Sequence, residues 1–222
     1  MLNDVPKKLR KKTLRERIYD ELVRMILSGE LPSDGLIKEK MLTQKLQVSR
    51  TPFREAIGAL AKEGLVEIKP YCGFSVRRFS REKAEDLYEL YKRLEGFAVE
   101  LAVPHMSDYD IALLEQMLRE AASALHRGDI KTYASYDRNF LRTIADQSGN
   151  GALVETVTRL DLQIQLCGKI GTDGSEFAQR VINGHDDIVQ AFKARDIPRA
   201  AFLMRAHLSR AQEVVLARFP TE

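Results

Sequence analysis

The sequence predicts a mostly α-helical protein: three helices closed by a β-hairpin, then an all-α antiparallel bundle of six longer helices. Three observations carry this. Apolar residues recur at the helical period in every long segment. Strand-like alternation occurs only at 65–69 and 74–77. Clusters of Gly, Pro, Asn and Asp fall between the periodic stretches and leave only short connections.

Residues 1–12 hold Lys7, Lys8, Arg10, Lys11 and Lys12 without an apolar period and read as a flexible basic arm. Thr13 caps a helix to about 28, with Ile18, Leu22, Met25 and Ile26 on one face, and Gly29 stops it. Leu31-Pro32-Ser33-Asp34-Gly35 is a turn. A second helix is expected over 38–46 with Met41, Leu42 and Leu46 inward. Gln47-Val48 links it to a third, capped by Ser49 or Thr51, with Pro52 in the first turn, where a missing N–H costs little. That helix runs to 63 with Ile57, Leu60 and Ala61 inward, and Gly64 ends it. The alternating stretches flank a turn at Pro70-Tyr71-Cys72-Gly73. Three helices and a hairpin make a winged helix-turn-helix over 13–79.

From 80 to 222 the texture is helical throughout. Expected spans are 82–103, 108–127, 130–147, 151–170, 176–194 and 197–218. Ser107-x-x-Asp110 has the pattern of a capping box. Gly128-Asp129, Gly149-Asn150-Gly151, Gly171-Thr172-Asp173-Gly174 and Asp196-x-Pro198 punctuate the rest. Six such helices form an antiparallel bundle.

Composition excludes several classes. At 44% hydrophobic and 30% charged the chain reads as globular. It has no apolar run of about 18 residues, the length of a transmembrane helix. Its basic start lacks the apolar segment of a secretory signal. Two distant cysteines, Cys72 and Cys167, fit a reducing cytoplasm and no disulfide framework. The net charge of +3 is uneven. Residues 1–80 carry 17 Lys and Arg against 10 Asp and Glu; the remainder carries 18 against 22. A basic head on a mildly acidic body suits a nucleic-acid partner for the head.

The third helix supplies the chemistry for that partner. Arg50 and Arg54 lie four apart, on one face of its exposed N-terminal end. That end offers unpaired N–H groups and a positive dipole to phosphate. Ser49 and Thr51 add hydroxyls, Lys40 can hold the DNA backbone, and Glu55 is placed to orient an arginine. An arginine fork can also take guanine O6 and N7 in the major groove. Gly73 at the wing permits close approach of backbone to DNA.

Residues 13–78 resemble the DNA-binding domain of the GntR family. The match is carried by Ile26-Leu27-Ser28-Gly29-Glu30-Leu31-Pro32, Leu36-Ile37-Lys38-Glu39-Lys40-Met41-Leu42, Val48-Ser49-Arg50-Thr51-Pro52-Phe53-Arg54-Glu55-Ala56 and Glu63-Gly64-Leu65-Val66. The resemblance implies operator contacts at Lys40, Arg50, Thr51, Arg54 and Gly73. The family usually has Pro-Gly in the first turn, where this chain reads Ser33-Asp34-Gly35.

The body is similar to the FCD effector domain of the family's FadR-type branch. Leu94-Glu95-Gly96-Phe97-Ala98, Tyr136-Asp137-Arg138-Asn139-Phe140, Ser148-Gly149-Asn150, His185-Asp186-Asp187-Ile188-Val189 and Met204-Arg205-Ala206-His207-Leu208 carry this likeness. It implies a ligand-responsive regulator, by family habit a repressor, working as a homodimer on double-stranded operator DNA without a membrane partner. It also implies a small-molecule effector, an organic acid, and one divalent metal (Zn, Ni, Mn or Fe) held by Asp137, His185 and His207. One carboxylate and imidazoles on facing helices suit such ions. Two positions depart from the pattern. Leu141 stands where a fourth ligand is expected, and Tyr91 where an arginine commonly faces the ligand. Tyr91, Arg138, Leu141, Arg142, Gln163 and Arg205 are the candidate effector-pocket residues. Three other readings stay open on the sequence: His185 and His207 hydrogen-bonded without metal, a constitutive DNA-binding protein with a degenerate pocket, and, remotely, a metallohydrolase on the Asp137–His185–His207 set.

Overall fold

The computed structural model describes residues 12–168 and 175–220. The basic arm, apart from Lys12, and the break at 171–174 lie outside the described residues. The chain divides into two compact units, Met1–Arg78 and Phe79–Glu222.

In the first unit α1 (Leu14–Ser28) starts on a capping box. The Glu16 amide donates to the Thr13 hydroxyl at 3.2 Å, and the Thr13 amide donates to the Glu16 carboxylate at 2.7 Å. Two N–H groups that a helix start leaves unpaired are thereby satisfied. Then follow α2 (Glu39–Leu46) and α3 (Arg50–Lys62), with the antiparallel strands β1 (Val66–Lys69) and β2 (Gly73–Val76). Gln47, in the left-handed conformation, makes the sharp turn between α2 and α3. The Val48 amide closes that turn on the Thr43 carbonyl at 3.0 Å. Ile18, Leu22, Met25, Ile26, Leu42, Phe53, Ile57, Leu60 and Phe74 form the core.

Three expectations about this core need correcting. Met41 is 54% exposed. The buried side of the two-turn α2 is Leu42 and Thr43, with Leu46 at its edge, and position 41 lies about 200° round the helix from 43. Ala61 is only half-buried, because the stripe of α3 runs Phe53, Ala56, Ile57, Leu60 and leaves 61 off its edge. Leu65 and Val66 are both buried and Ile68 is 46% exposed, so alternation does not hold from 65. Leu65 belongs to the exit from α3, its amide bonded to the Leu60 carbonyl, and the strand starts one residue later.

The second unit consists, among the described residues, of α4 (Arg81–Ala102), α5 (Asp108–His126), α6 (Ile130–Gln147), α7 (Gly151–Gly168), α8 (Ser175–Lys193) and α9 (Ile197–Leu216). Helix α4 packs against α6, α7 and α9; α5 packs against α6 and α8. The main core runs from Ala84 through Phe140, Ile144, Val189 and Phe192 to Met204. Ser107 and Asp110 make the capping box expected of them. Asp196 caps α9 with Pro198 in its first turn. Cys167 is buried, and that burial raises its thiol to about 12. Among the described residues no helix is long and apolar enough to cross a membrane.

Candidate DNA interface and buried polar site

Helix α3 is held from below and free above. Phe53, Ala56, Ile57 and Leu60 fix its inner face, while Arg50, Thr51 and Arg54 are exposed at its first turns. Ser49 occupies the N-cap position, but its hydroxyl makes no capping bond. Ser49 is exposed, and helix-start N–H groups left uncapped can receive a phosphate oxygen. The Arg54 Nε donates to Glu39 Oε2 at 2.8 Å, and 65% of the arginine side chain remains exposed. Glu39 on α2, rather than Glu55, therefore orients this arginine. Lys40, the next residue, is exposed in the same first turn of α2.

Gly73 also meets this stretch. Its backbone has φ +134°, and a Cβ there would lie far inside contact with the Ile37 carbonyl oxygen. Ile37 and Phe74 exchange backbone hydrogen bonds at 2.7 and 3.1 Å, tying the wing to the start of α2. So the glycine expected to admit DNA is required first by the protein's own backbone. Residues 37–40 are touched by the wing on one side and by Arg54 on the other. Gly73→Ala is expected to destabilise this unit by about 1–3 kcal/mol through backbone strain and the Ile37 clash. Faster amide exchange at Ile37 and Phe74 in the variant checks it, and unchanged protection there would refute it. At the wing tip Tyr71 is fully exposed, in the left-handed conformation.

Inside the second unit a different kind of site is assembled. His185 on α8 is 1% exposed and stacks on Phe140 of α6, with ring centroids 4.1 Å apart and planes 18° from parallel. His207 on α9 is 6% exposed and its ring lies 4.4 Å from that of His185. Gly184 lets the two helices close: a Cβ there would stand 2.7 Å from His207 Nδ1. His185 Nδ1 is 3.7 Å from Asp137 Oδ1 of α6. Burial drives both imidazoles toward neutrality, His185 well below the usual histidine value and His207 to about 4. Asp137 is pushed up to about 7 by burial and by Asp161 of α7. Of its side chain, 32% keeps accessible surface. A separate cleft of about 230 Å³ between α8 and α9 reaches His207 from outside.

Sequence reasoning did not assign two members of this site. Glu95 of α4 is 1% exposed, and burial raises its carboxyl to about 8 even though the Tyr91 hydroxyl donates to it. Asp161 is raised to about 6 by burial and bonded by Gln165 at 2.6 Å. The signal was available for Glu95. It interrupts the apolar face Leu87, Tyr88, Tyr91, Ala98, Val99, Ala102 and stands one turn from a tyrosine.

Of the candidate pocket residues, Tyr91 is buried at the centre and Leu141 packs against the core. Gln163 is half-buried on α7. The arginines lie nearer the surface, with Arg138 still acting on Asp137 and Asp161 and Arg142 on Asp161. Arg138 and Arg142 are exposed, Arg142 beside Asp146. Arg205 lies over Gly96 and pairs with Glu100 at 3.5 Å, so it is a packing residue between α4 and α9. The metal set lacks its expected fourth ligand. Leu141 has no lone pair, and among the described residues no three His, Cys, Asp or Glu side chains converge as ligands. His185 Nδ1 lies 3.7 Å from Asp137 Oδ1, beyond hydrogen-bond distance.

Comparison with known proteins agrees with both units. The family model for bacterial regulatory proteins, gntR family, matches residues 14–76, and the FCD domain model matches 86–210. The HTH-type transcriptional regulator YdhC of Bacillus subtilis is 27% identical, covering 87% of each chain. The HTH-type transcriptional repressor RspR of Escherichia coli is 24% identical over 91% of this chain and 89% of its own. The solved structure of E. coli McbR/YncC superposes with a TM-score of 0.83 at 21% identity, covering 92% of this chain and 97% of that one.

Proposed function

The chain belongs to the GntR family of bacterial regulatory proteins, with an FCD domain behind its DNA-binding head, and is a transcription regulator rather than an enzyme; from that premise we propose that it is a cytoplasmic repressor that leaves its operator when a small molecule occupies the helical unit. The observation that carries the DNA contacts is the first turn of α3, where Arg50, Thr51 and Arg54 stand exposed on a rigidly packed helix, with Arg54 braced by Glu39. A side chain held in one rotamer loses less entropy on meeting a base edge. The likeness to a named repressor supports the direction of regulation.

The protein acts as a homodimer. A single head reads too few base pairs for operator-level specificity, and two heads related by two-fold symmetry read a palindrome. Selection from a random duplex library tests this. It should return a two-fold symmetric site whose half-sites are centred about 10 base pairs, or a multiple, apart. Enrichment of a single asymmetric site, or of none, would sink the reading.

The sensing role rests on the buried polar site. Glu95 Oε2 and His185 Nε2 are buried without a hydrogen-bond partner. An unmet buried polar atom costs about 1–3 kcal/mol. A pocket that bound nothing would gain stability by replacing them with apolar groups, which argues against the constitutive reading.

A further inference from the structure

The cleft of about 230 Å³ between α8 and α9 has walls and a floor of different chemistry. Its walls are apolar, Val181 from α8 and Ala211 and Val214 from α9. Its polar lining is Arg180 from α8 and His207, Arg210 and Glu213 from α9. Positions 207, 210, 211 and 214 share one face of α9, and 180, 181 and 184 share one face of α8, so the two faces look into the same space.

Gly184 brings two of the donors together. A Cβ there would stand 2.7 Å from His207 Nδ1 and 3.2 Å from Arg210 Nη2, so ring and guanidinium meet over one point of the α8 backbone. Among the described residues the side chains of His207, Arg210 and Glu213 make no hydrogen bond and no ion pair. His207 is 6% exposed, whereas both arginines are exposed. Two arginines against one carboxylate leave the cleft positive.

A guanidinium has donors and no acceptor, so what completes this arrangement comes from outside the fold. An amine would meet two cations. An uncharged apolar molecule would leave the donors unmet. A carboxylate or phosphate can accept from the Arg210 fork and from the imidazole together, and hydrogen bonds between ionised partners are the strong ones. A concave, largely apolar space with a few convergent polar groups is also the common form of a small-molecule site.

We propose that the cleft between α8 and α9 binds a small oxyanion, a carboxylate or a phosphate, anchored by Arg210 and Arg180 over His207. This site is separate from the buried Glu95 and His185 atoms on which the sensing role rests, and it does not depend on that role. His207 is the point of contact between the two: its ring lies against His185, which stacks on Phe140 of α6.

Full-length protein without DNA, in EDTA-containing buffer at constant ionic strength, is melted with acetate, butyrate, succinate or inorganic phosphate. Butylammonium chloride and sodium chloride serve as references. At least one of the anions is expected to raise the melting temperature by several degrees over chloride near saturation, and which of them does so separates carboxylate from phosphate. Arg210→Gln is expected to weaken that anion about tenfold or more, and Arg180→Gln to weaken it less. Glu213→Gln, which removes the competing charge, is expected to tighten it by about two- to fivefold. All three positions are exposed, and a general loss of stability would not move them in opposite directions. An anion shift of equal size in wild type and Arg210→Gln would place binding elsewhere and overturn the proposal. Stabilisation by butylammonium instead of the anions, or by none of the compounds, would overturn it as well. The sensing role would survive each of these results, because it is read from release of the selected operator.

Discussion

Alanine at Arg50 or Arg54 is expected to reduce operator affinity roughly 5- to 150-fold, the equivalent of ~1–3 kcal/mol for a bidentate base contact, with the melting temperature essentially unchanged. Both side chains are exposed and neither contributes to the core of the first unit. The loss should be specific: affinity for unrelated DNA changes less than affinity for the operator. Glu39→Gln should produce a smaller loss of the same kind, because it keeps the α2 surface and removes the brace on Arg54. Lys40→Ala is the contrast. A phosphate contact weakens all sequences alike and lowers the salt slope by about 1. Fluorescence anisotropy at several salt concentrations separates these outcomes. Equal operator affinity in the Arg50, Arg54 and Lys40 variants would remove α3 as the reading element.

The contrast between Arg54 and Lys40 also marks what the sequence could reveal. Spacing along one helix was readable, so Arg50 and Arg54 on one face, and the capping pairs Thr13–Glu16 and Ser107–Asp110, were legible. These are local interactions, fixed by residues three or four apart. The partner of Arg54 was not legible, because Glu39 is fifteen residues away and reaches it only once α2 and α3 pack. Gly73 shows the same limit. Its glycine suggested an open approach, yet the close neighbour is the Ile37 carbonyl, a contact across the fold. In the bundle, helix boundaries followed from local punctuation. Which polar residues would share the interior did not, since α4, α6, α7, α8 and α9 each contribute one or two. Arg205 was misplaced for that reason, its direction being set by packing over Gly96.

Glu95→Gln is expected to reshape the pH dependence of stability. In the fold the Glu95 carboxyl is raised from 4.5 to about 8, chiefly by burial. The folded state therefore holds a proton that the unfolded chain gives up from pH 4.5 upward. The stability Glu95 contributes is full below pH 4.5 and is lost as pH rises through 8. At about 1.4 kcal/mol per pH unit the loss approaches about 5 kcal/mol above that point. Asp161 and Asp137, raised to about 6 and about 7, act in the same direction at lower pH. His185 and His207 oppose them, because their depressed values cost stability as pH falls below 6.5. Glutamine cannot ionise, so the variant should match or trail the wild type near pH 5 and exceed it near pH 9. Urea midpoints of both proteins across that range measure the effect. Parallel profiles would mean that Glu95 ionises in the fold as it does in water. A leucine or methionine at 95 would fill the same volume without this alkaline loss. The carboxyl is thus maintained against stability, beside an unpaired oxygen of its own and an unpaired imidazole nitrogen, where an incoming ligand can supply what the protein leaves out.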